Sequence, residues 1–520
     1  MTSLPDDINT LKCMLLELHA KSLHQAEQLS TQAEQLALQS EQLIELNNRL
    51  QWALEQLNLS KAKRFGRQSE KTPKGTFNEA EQLKAEDNQP PKPAAKKGRK
   101  PLPAHLDRED RTYELSEPVC ECCAQPLHVC GIEESEQLKI IPAKISVIRH
   151  RQTKYACRHC EQTAERCQVI TAPKPAQPIP QSIASPEALA AVVTAKYCDA
   201  LPLYRQVDIL ARGGLDISRS TLASWCIKAG ELVEPLRQAM QQHLLKQGVV
   251  CADETRVQVL DEPERAATTQ SYMWVYRSGE YHKQPVVLYD YQPGRGREYP
   301  AAFLKGYAGY LQCDAYQVYA SLENVSLSCC WAHARRKFND ALLAQPQKTG
   351  KASHALSTIQ KLYAIEQQAR ELSAEARRQL RQEKAAPLLQ EFKQWLDESR
   401  AQLTPKSYVG EAVKYVLNHW ADLNRYLENG MLGIDNNVTE RDIRPFTTGR
   451  KNWLFSKSVE GAKASAILYG LVMTCRANDI NPYYYFQKLF EELPGRDKDA
   501  SLDDLMPWNI KLDAEDDSAV

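Results

Sequence analysis

Gly248-Val249-Val250-Cys251-Ala252-Asp253-Glu254-Thr255-Arg256-Val257-Gln258-Val259-Leu260 is rich in β-branched residues and has no proline. It reads as a strand. Two-residue alternation puts Val249, Cys251, Asp253, Val257 and Val259 on one face. A carboxylate on such an apolar face is costly unless something positive compensates it. Asp253 therefore asks for an explanation before any other residue in the stretch.

Similar short runs follow at Ser271–Arg277, Pro285–Tyr291, Tyr310–Asp314 and Ser326–Cys330. From Lys337 to Asn429 the chain turns charged and helical, and no strand is expected beyond that point. The pattern predicts a mixed sheet, a long helical insertion and closing helices. Asp314 ends a strand run, and Glu440 lies in Asp435-Asn436-Asn437-Val438-Thr439-Glu440-Arg441 at the start of a helix. Hard carboxylate oxygens drawn from separate elements are what a pair of Mg²⁺ ions needs to clamp a phosphodiester. Each acid also has a structural reading. Asp253 could pair with Arg256, Asp314 could cap a turn, and Asn437-x-x-Glu440 fits a capping box with Arg444 as an i,i+4 partner.

The chain has 520 residues, too many for one compact core, and 42% of them are hydrophobic against 25% charged. Mean hydropathy is −0.53, and no run approaches the ~20 apolar residues of a membrane span; Ala466 to Cys475 reads as a buried helix. The N-terminal residues lack a basic segment followed by an apolar run. Fifteen cysteines then suggest a reducing compartment, so a cytoplasmic, nucleoid-associated location is expected. The formal charge is zero, but basic residues cluster at Lys92–Lys100, Arg335–Lys337 and Arg441–Lys451, each either a solvated surface or a track for phosphates.

Two Cys-x-x-Cys knuckles, Cys120/Cys123 and Cys157/Cys160, supply four sulfurs for one tetrahedral zinc ion. The segment between them looks like two strands, giving a zinc-ribbon-like module with a structural metal. Cys122, Cys130 and Cys167 leave the ligand register open.

Leu29, Leu36, Leu43, Leu50 and Leu57 recur every seventh residue in a stretch without glycine or proline, the pattern of a coiled coil and hence of a homo-oligomer. Residues 73–103 read as a basic linker, in which Lys97-Gly98-Arg99-Lys100-Pro101 resembles a minor-groove AT-hook. Ala172–Pro180 reads as a second linker. Ser185-Pro186-Glu187 starts a helix, and a helix, a Gly213-Gly214 turn and a second helix from Ser220 fit a helix-turn-helix.

Four motifs, Cys251-Ala252-Asp253-Glu254-Thr255, Cys313-Asp314-Ala315-Tyr316, Cys330-Trp331-Ala332-His333-Ala334-Arg335-Arg336-Lys337-Phe338 and Asp435–Arg441, together resemble the transposases of the insertion sequence 66 family. The resemblance extends to the leucine heptads, Arg64–Lys71, the zinc module and Asn478-Asp479-Ile480-Asn481-Pro482. It implies an RNase H-like core in which Asp253, Asp314 and Glu440 are catalytic and hold two Mg²⁺ ions. It also implies strand cleavage at element ends and 3′-hydroxyl transfer into target double-stranded DNA, with accessory transposition proteins as possible partners. Cys330 and His333 would shape the site, and Arg441, Arg444 and Arg450, with Arg99 and Lys100, would contact DNA.

The expected architecture is a multidomain α+β chain. It comprises a coiled coil (1–64), a basic linker (65–104), a zinc-binding module (105–171) and a helix-turn-helix-like region (181–245). An RNase H-like mixed α/β core (246–456) with a helical insertion at about 339–430 follows, then a C-terminal helical segment (457–495) and an acidic tail (496–520). The rival reading from another class is a DNA-binding regulator with an inactive core, and a third is a stand-alone metal-dependent nuclease. No Gly-x-x-x-x-Gly-Lys-Ser/Thr loop is present, which argues against P-loop ATP use.

Overall fold

A computed structural model describes residues 7–65, 145–156, 169–345, 350–497 and 499–512. Arg99, Lys100, the four knuckle cysteines and the acidic tail from 513 lie outside the described residues. The chain opens with one helix, α1 (Ile8–Phe65), whose five heptad leucines are all exposed. Only its C-terminal end is docked: Leu59 is buried, Asn58 donates to the Ala344 carbonyl at 3.2 Å, and Lys63 pairs with Asp340 at 3.2 Å. A two-strand antiparallel ladder, β1 (Lys154–Ala156) and β2 (Val169–Thr171), follows. The partner of β1 thus lies beyond the second knuckle, whereas two strands were expected between the knuckles; residues 145–153 form none.

Helices α2 (Pro186–Tyr197), α3 (Leu203–Arg212) and α4 (Arg219–Leu245) come next. Ser185 caps α2 and Ser218 caps α4, each hydroxyl accepting from a backbone amide in the first turn. The helix, turn, helix order is as expected, but these helices do not form a separate module. Leu222, Trp225, Ala229, Val233, Leu236, Met240 and Leu244 on α4 are buried in the same core as the sheet. A stripe sustained over that many turns is the mark of a core helix, and its opposite face, from Arg219 and Ser220 through Ser224, Lys228, Glu231 and Gln238, is exposed.

The five expected strands are present: β3 (Val249–Asp261), β4 (Gln270–Ser278), β5 (Val287–Gln292), β6 (Gly309–Cys313) and β7 (Val325–Cys329). Their order is β5-β4-β3-β6-β7, antiparallel from β5 to β3 and parallel from β3 to β7. Helices cover the sheet, so Val249 to Ala252 are buried on both faces instead of alternating.

A separate helical body grows out of β7. Helix α5 (Trp331–Ala344) leads to α6 (Lys351–Ala369), α7 (Ala374–Leu380), a π-helical turn at Arg381–Ala385, α8 (Ala386–Ala401) and α9 (Tyr408–Asn418). Its own apolar core includes Trp331, Phe338, Leu362, Phe392, Leu396 and Val413, and it meets the sheet at Val249 and Cys329. Arg381 is fully buried; it pairs with Glu366 at 2.7 Å and donates to the carbonyls of Tyr426, Asn429 and Leu432. That fork leaves the guanidinium satisfied and fixes the chain on its return to the sheet.

The return forms α10 (Asn437–Trp453), β8 (Ser456–Ser458), α11 (Val459–Ala477) and α12 (Pro482–Glu492). Strand β8 corrects the expectation that no strand follows the insertion: it pairs in parallel with Val259 and Asp261, the far end of β3. Helix α11 is the buried helix foreseen around Ala466–Cys475. It lies close on α4 and β5 because its contact residues are small. A Cβ added at Gly230 would come within 3.0 Å of the Ala464 Cα, and one at Gly470 within 3.3 Å of the Val287 carbonyl oxygen. No helix among the described residues is long and apolar enough to cross a membrane.

Candidate active site

The parallel register of β3 and β6 runs from Val249↔Tyr310 to Cys251↔Gln312. Carrying it two residues further sets Asp253 level with Asp314, just past the last paired residues, and near enough for the two charges to repel. There the strands part. With β6 ended and β8 not joining until Val259, this edge of β3 is unpaired around Asp253 among the described residues. The gap lies at the ends of parallel strands, where open sheets characteristically bind ligands.

Helix α10 brings the third acid. Asn436, 2% exposed, donates its side-chain amide to the Ala252 carbonyl at 3.0 Å and accepts from the Thr439 hydroxyl at 2.6 Å. Its backbone amide donates to the Cys330 sulfur at 3.2 Å. The preceding loop is held by Gln312, whose amide donates to the carbonyls of Gly433 at 2.7 Å and Asp435 at 2.9 Å. Further along, Asp442 pairs with Arg277 of β4 at 2.6 Å in a nearly buried contact. These anchors set Glu440, one turn into α10, toward Asp253.

The electrostatics report the same convergence. Burial pushes the Asp253 carboxyl up to about 8, with Glu254, Asp314 and Glu440 adding like-charge repulsion; the Glu254 amide donates to it at 2.8 Å. Among the described residues Asp253 has no ion-pair partner, so the Arg256 pairing is not formed. Asp314 accepts from the Tyr316 amide at 3.0 Å, which is the expected turn cap. Glu440 does not close a capping box: Asp435 accepts from the Asn437 amide at 3.0 Å and from its side chain at 2.8 Å. The Glu440 carboxylate instead faces α5, with Arg336 at 3.6 Å and His333 Nε2 at 3.9 Å, and no Arg444 pair forms.

His333 has its pKa lowered by burial and by Arg336, against the pull of Glu440 and Asp314, and its buried Nδ1 has no hydrogen-bond partner among the described residues. Cys330 is fully buried at the N-terminus of α5, and burial raises its thiol pKa. Arg441 and Arg444 are exposed, while Arg450 is half-buried, with Nη1 3.4 Å from the Thr255 hydroxyl. Asp435, the other acid of the motif, is taken up by Tyr363 at 2.8 Å and by capping.

Sequence reasoning missed four contributors. Glu254, adjacent to Asp253, has a side chain only 2% exposed, pairs with Arg295 and accepts from the Tyr319 hydroxyl at 2.7 Å. Gln312 and Asn436 look like ordinary polar residues in the sequence. Arg336 could have been found, since it shares a helical face with His333 at i,i+3.

Comparison with known proteins identifies the family. The Transposase IS66 family matches residues 181–464, the zinc-finger binding domain of transposase IS66 matches 117–161, and the IS66 C-terminal element matches 470–508. A further description, Transposase C of IS166 homeodomain, matches 52–111. The zinc-finger match contains Cys120, Cys123, Cys157 and Cys160 and supports a structural zinc ion. Among relatives, Uncharacterized protein y4qI of Sinorhizobium fredii is 30% identical over 99% of both chains. Uncharacterized protein y4jD of the same organism is 32% identical over 79% of this chain and 82% of its own. No solved structure matches. The matches cover the sheet, the insertion and the flanking helices, and on them the chain belongs to the IS66 family of transposases.

Proposed function

We propose that this chain is a DDE-type DNA transposase that binds the ends of an insertion sequence and catalyses Mg²⁺-dependent strand cleavage and 3′-hydroxyl transfer into target DNA. One observation carries the reading. The largely buried Asp253 carboxylate lies within electrostatic reach of Asp314 and Glu440 at an open sheet edge, and among the described residues it forms no ion pair. The core is RNase H-like in this reading. Its support is a mixed sheet with the first acid on the central strand, the second after the neighbouring parallel strand, and the third on a helix that follows a helical insertion.

The residues fit a pair of Mg²⁺ ions, since three carboxylates from three elements supply hard oxygen donors where like charge is otherwise unfavourable. Bound there, the two ions supply Lewis-acid stabilisation of the attacking and leaving oxygens of a phosphodiester. Asp253, Asp314 and Glu440 would hold them. Asn436 and Gln312 keep the Glu440 helix in register, and His333 with Arg336 orients its carboxylate. Exposed Arg441 and Arg444, with Arg450 and the Arg99-Lys100 linker, bind the phosphate backbone. The exposed leucines of α1 serve self-association through a coiled coil, and accessory transposition proteins act on this assembly.

The test uses duplexes carrying the element's terminal repeats. Asp253→Ala, Asp314→Ala and Glu440→Ala should each abolish Mg²⁺-dependent strand transfer and leave end binding intact. Full activity in any one variant removes that residue from the site. End binding without cleavage in the unsubstituted chain would favour a regulator, and cleavage without joining a nuclease.

A further inference from the structure

Away from the three acids, Cys329, His419 and Asp422 converge, with their potential ligand atoms all within 4.8 Å of one another. Cys329 ends β7, His419 follows α9, and Asp422 lies in the short helix Trp420–Asn424. The Cys329 thiol is 2% exposed, free, and without a hydrogen bond among the described residues. His419 packs against the Tyr415 ring at 4.9 Å between centroids, and its ring nitrogens likewise make no described hydrogen bond. Asp422 Oδ1 accepts from Arg425 Nη2 at 2.9 Å, and the same guanidinium donates to the Leu327 carbonyl of β7. Arg425 therefore steers Asp422 against the strand and leaves Oδ2 for another partner.

We propose that Cys329, His419 and Asp422 form a second zinc site, separate from the cysteine knuckles. A sulfur, a nitrogen and a carboxylate oxygen make the mixed donor set that zinc accepts, whereas Mg²⁺ and Ca²⁺ take oxygen donors. Tetrahedral zinc with bonds of ~2.0–2.3 Å sets its ligand atoms about 3.3–3.8 Å apart. The observed trio closes to that spacing by roughly 1 Å, a shift within side-chain torsional freedom. On binding, the Cys329 proton leaves to solvent, the thiolate sulfur bonds the metal, and water fills the fourth position.

The ion would rivet the end of β7 to the foot of the helical insertion. Cys330 and α5 follow directly, so the rivet also fixes the helix that presents His333 and Arg336 to Glu440. Without it, the joint relies on the Arg425 bonds and on apolar packing around Trp331 and Trp420, whose rings lie 6.4 Å apart edge to face.

The test is zinc content of the full chain by mass spectrometry, for the parent and for His419→Gln, Asp422→Asn and Cys329→Ser. Each variant should lose one zinc per chain, additively with the loss caused by Cys120→Ser and Cys123→Ser together. In Co²⁺-loaded protein, Cys329→Ser should lose thiolate-to-metal charge-transfer intensity. Cys329 is buried and its variant can misfold, so the half-exposed His419 and Asp422 carry the decision. Unchanged zinc in both His419→Gln and Asp422→Asn, with native circular dichroism, overturns the proposal.

Discussion

Asp253→Asn should stabilise the Mg²⁺-free protein while abolishing strand transfer. In the folded chain, burial and the neighbouring acids raise this carboxyl from 3.8 to about 8. The folded state therefore holds the proton more tightly than the unfolded state, and stability from this group is lost as pH rises between those values. At ~1.4 kcal/mol per unit, the four-unit gap sets a ceiling of roughly 5–6 kcal/mol at and above pH 8. The amide cannot ionise and avoids that cost. Thermal unfolding across pH 5 to 9, in Mg²⁺-free buffer without chelator so that zinc is retained, should show the parent falling below Asp253→Asn as pH rises. Adding Mg²⁺ should raise the parent's Tm and leave the variant's nearly unchanged, because ligand binding to the native state adds stability only where the site is intact. If the two proteins follow the same pH profile and respond equally to Mg²⁺, the electrostatic reading of the site is wrong.

Two further predictions concern the helix that carries Glu440. Asn436→Ala removes the bridge to the Ala252 carbonyl and should weaken Mg²⁺ affinity about 10–100-fold, read by Mg²⁺ titration of strand transfer, with end binding unaltered. Arg277→Ala leaves Asp442 buried and unpaired and should cost about 3–5 kcal/mol in denaturant unfolding; a loss under ~1 kcal/mol would show that this pair does not anchor α10.

Strand reading succeeded because period-two apolar runs are local: all five strands of the sheet were legible to within two residues. Strand β8 was not, because Ser456-Lys457-Ser458 has no apolar pattern and is a strand only through its pairing with Val259 and Asp261. The helices before and after the sheet were each legible, yet their membership in the sheet's core was not. Amphipathic stripes show that a face is buried, not against what.

The candidate site divides along the same line. The sequence alone supplied the three acids, the two Cys-x-x-Cys knuckles and the family, because these are identities and spacings within short motifs. Tertiary structure decided that Asp253 and Asp314 stand side by side, since that follows from a parallel register between strands far apart in the chain. It also took Asp435 into capping and left Glu440 facing His333 and Arg336. Long-range bonds from Gln312, Asn436 and Arg381 fix that outcome, and no local pattern encodes which carbonyl a buried amide or guanidinium will meet.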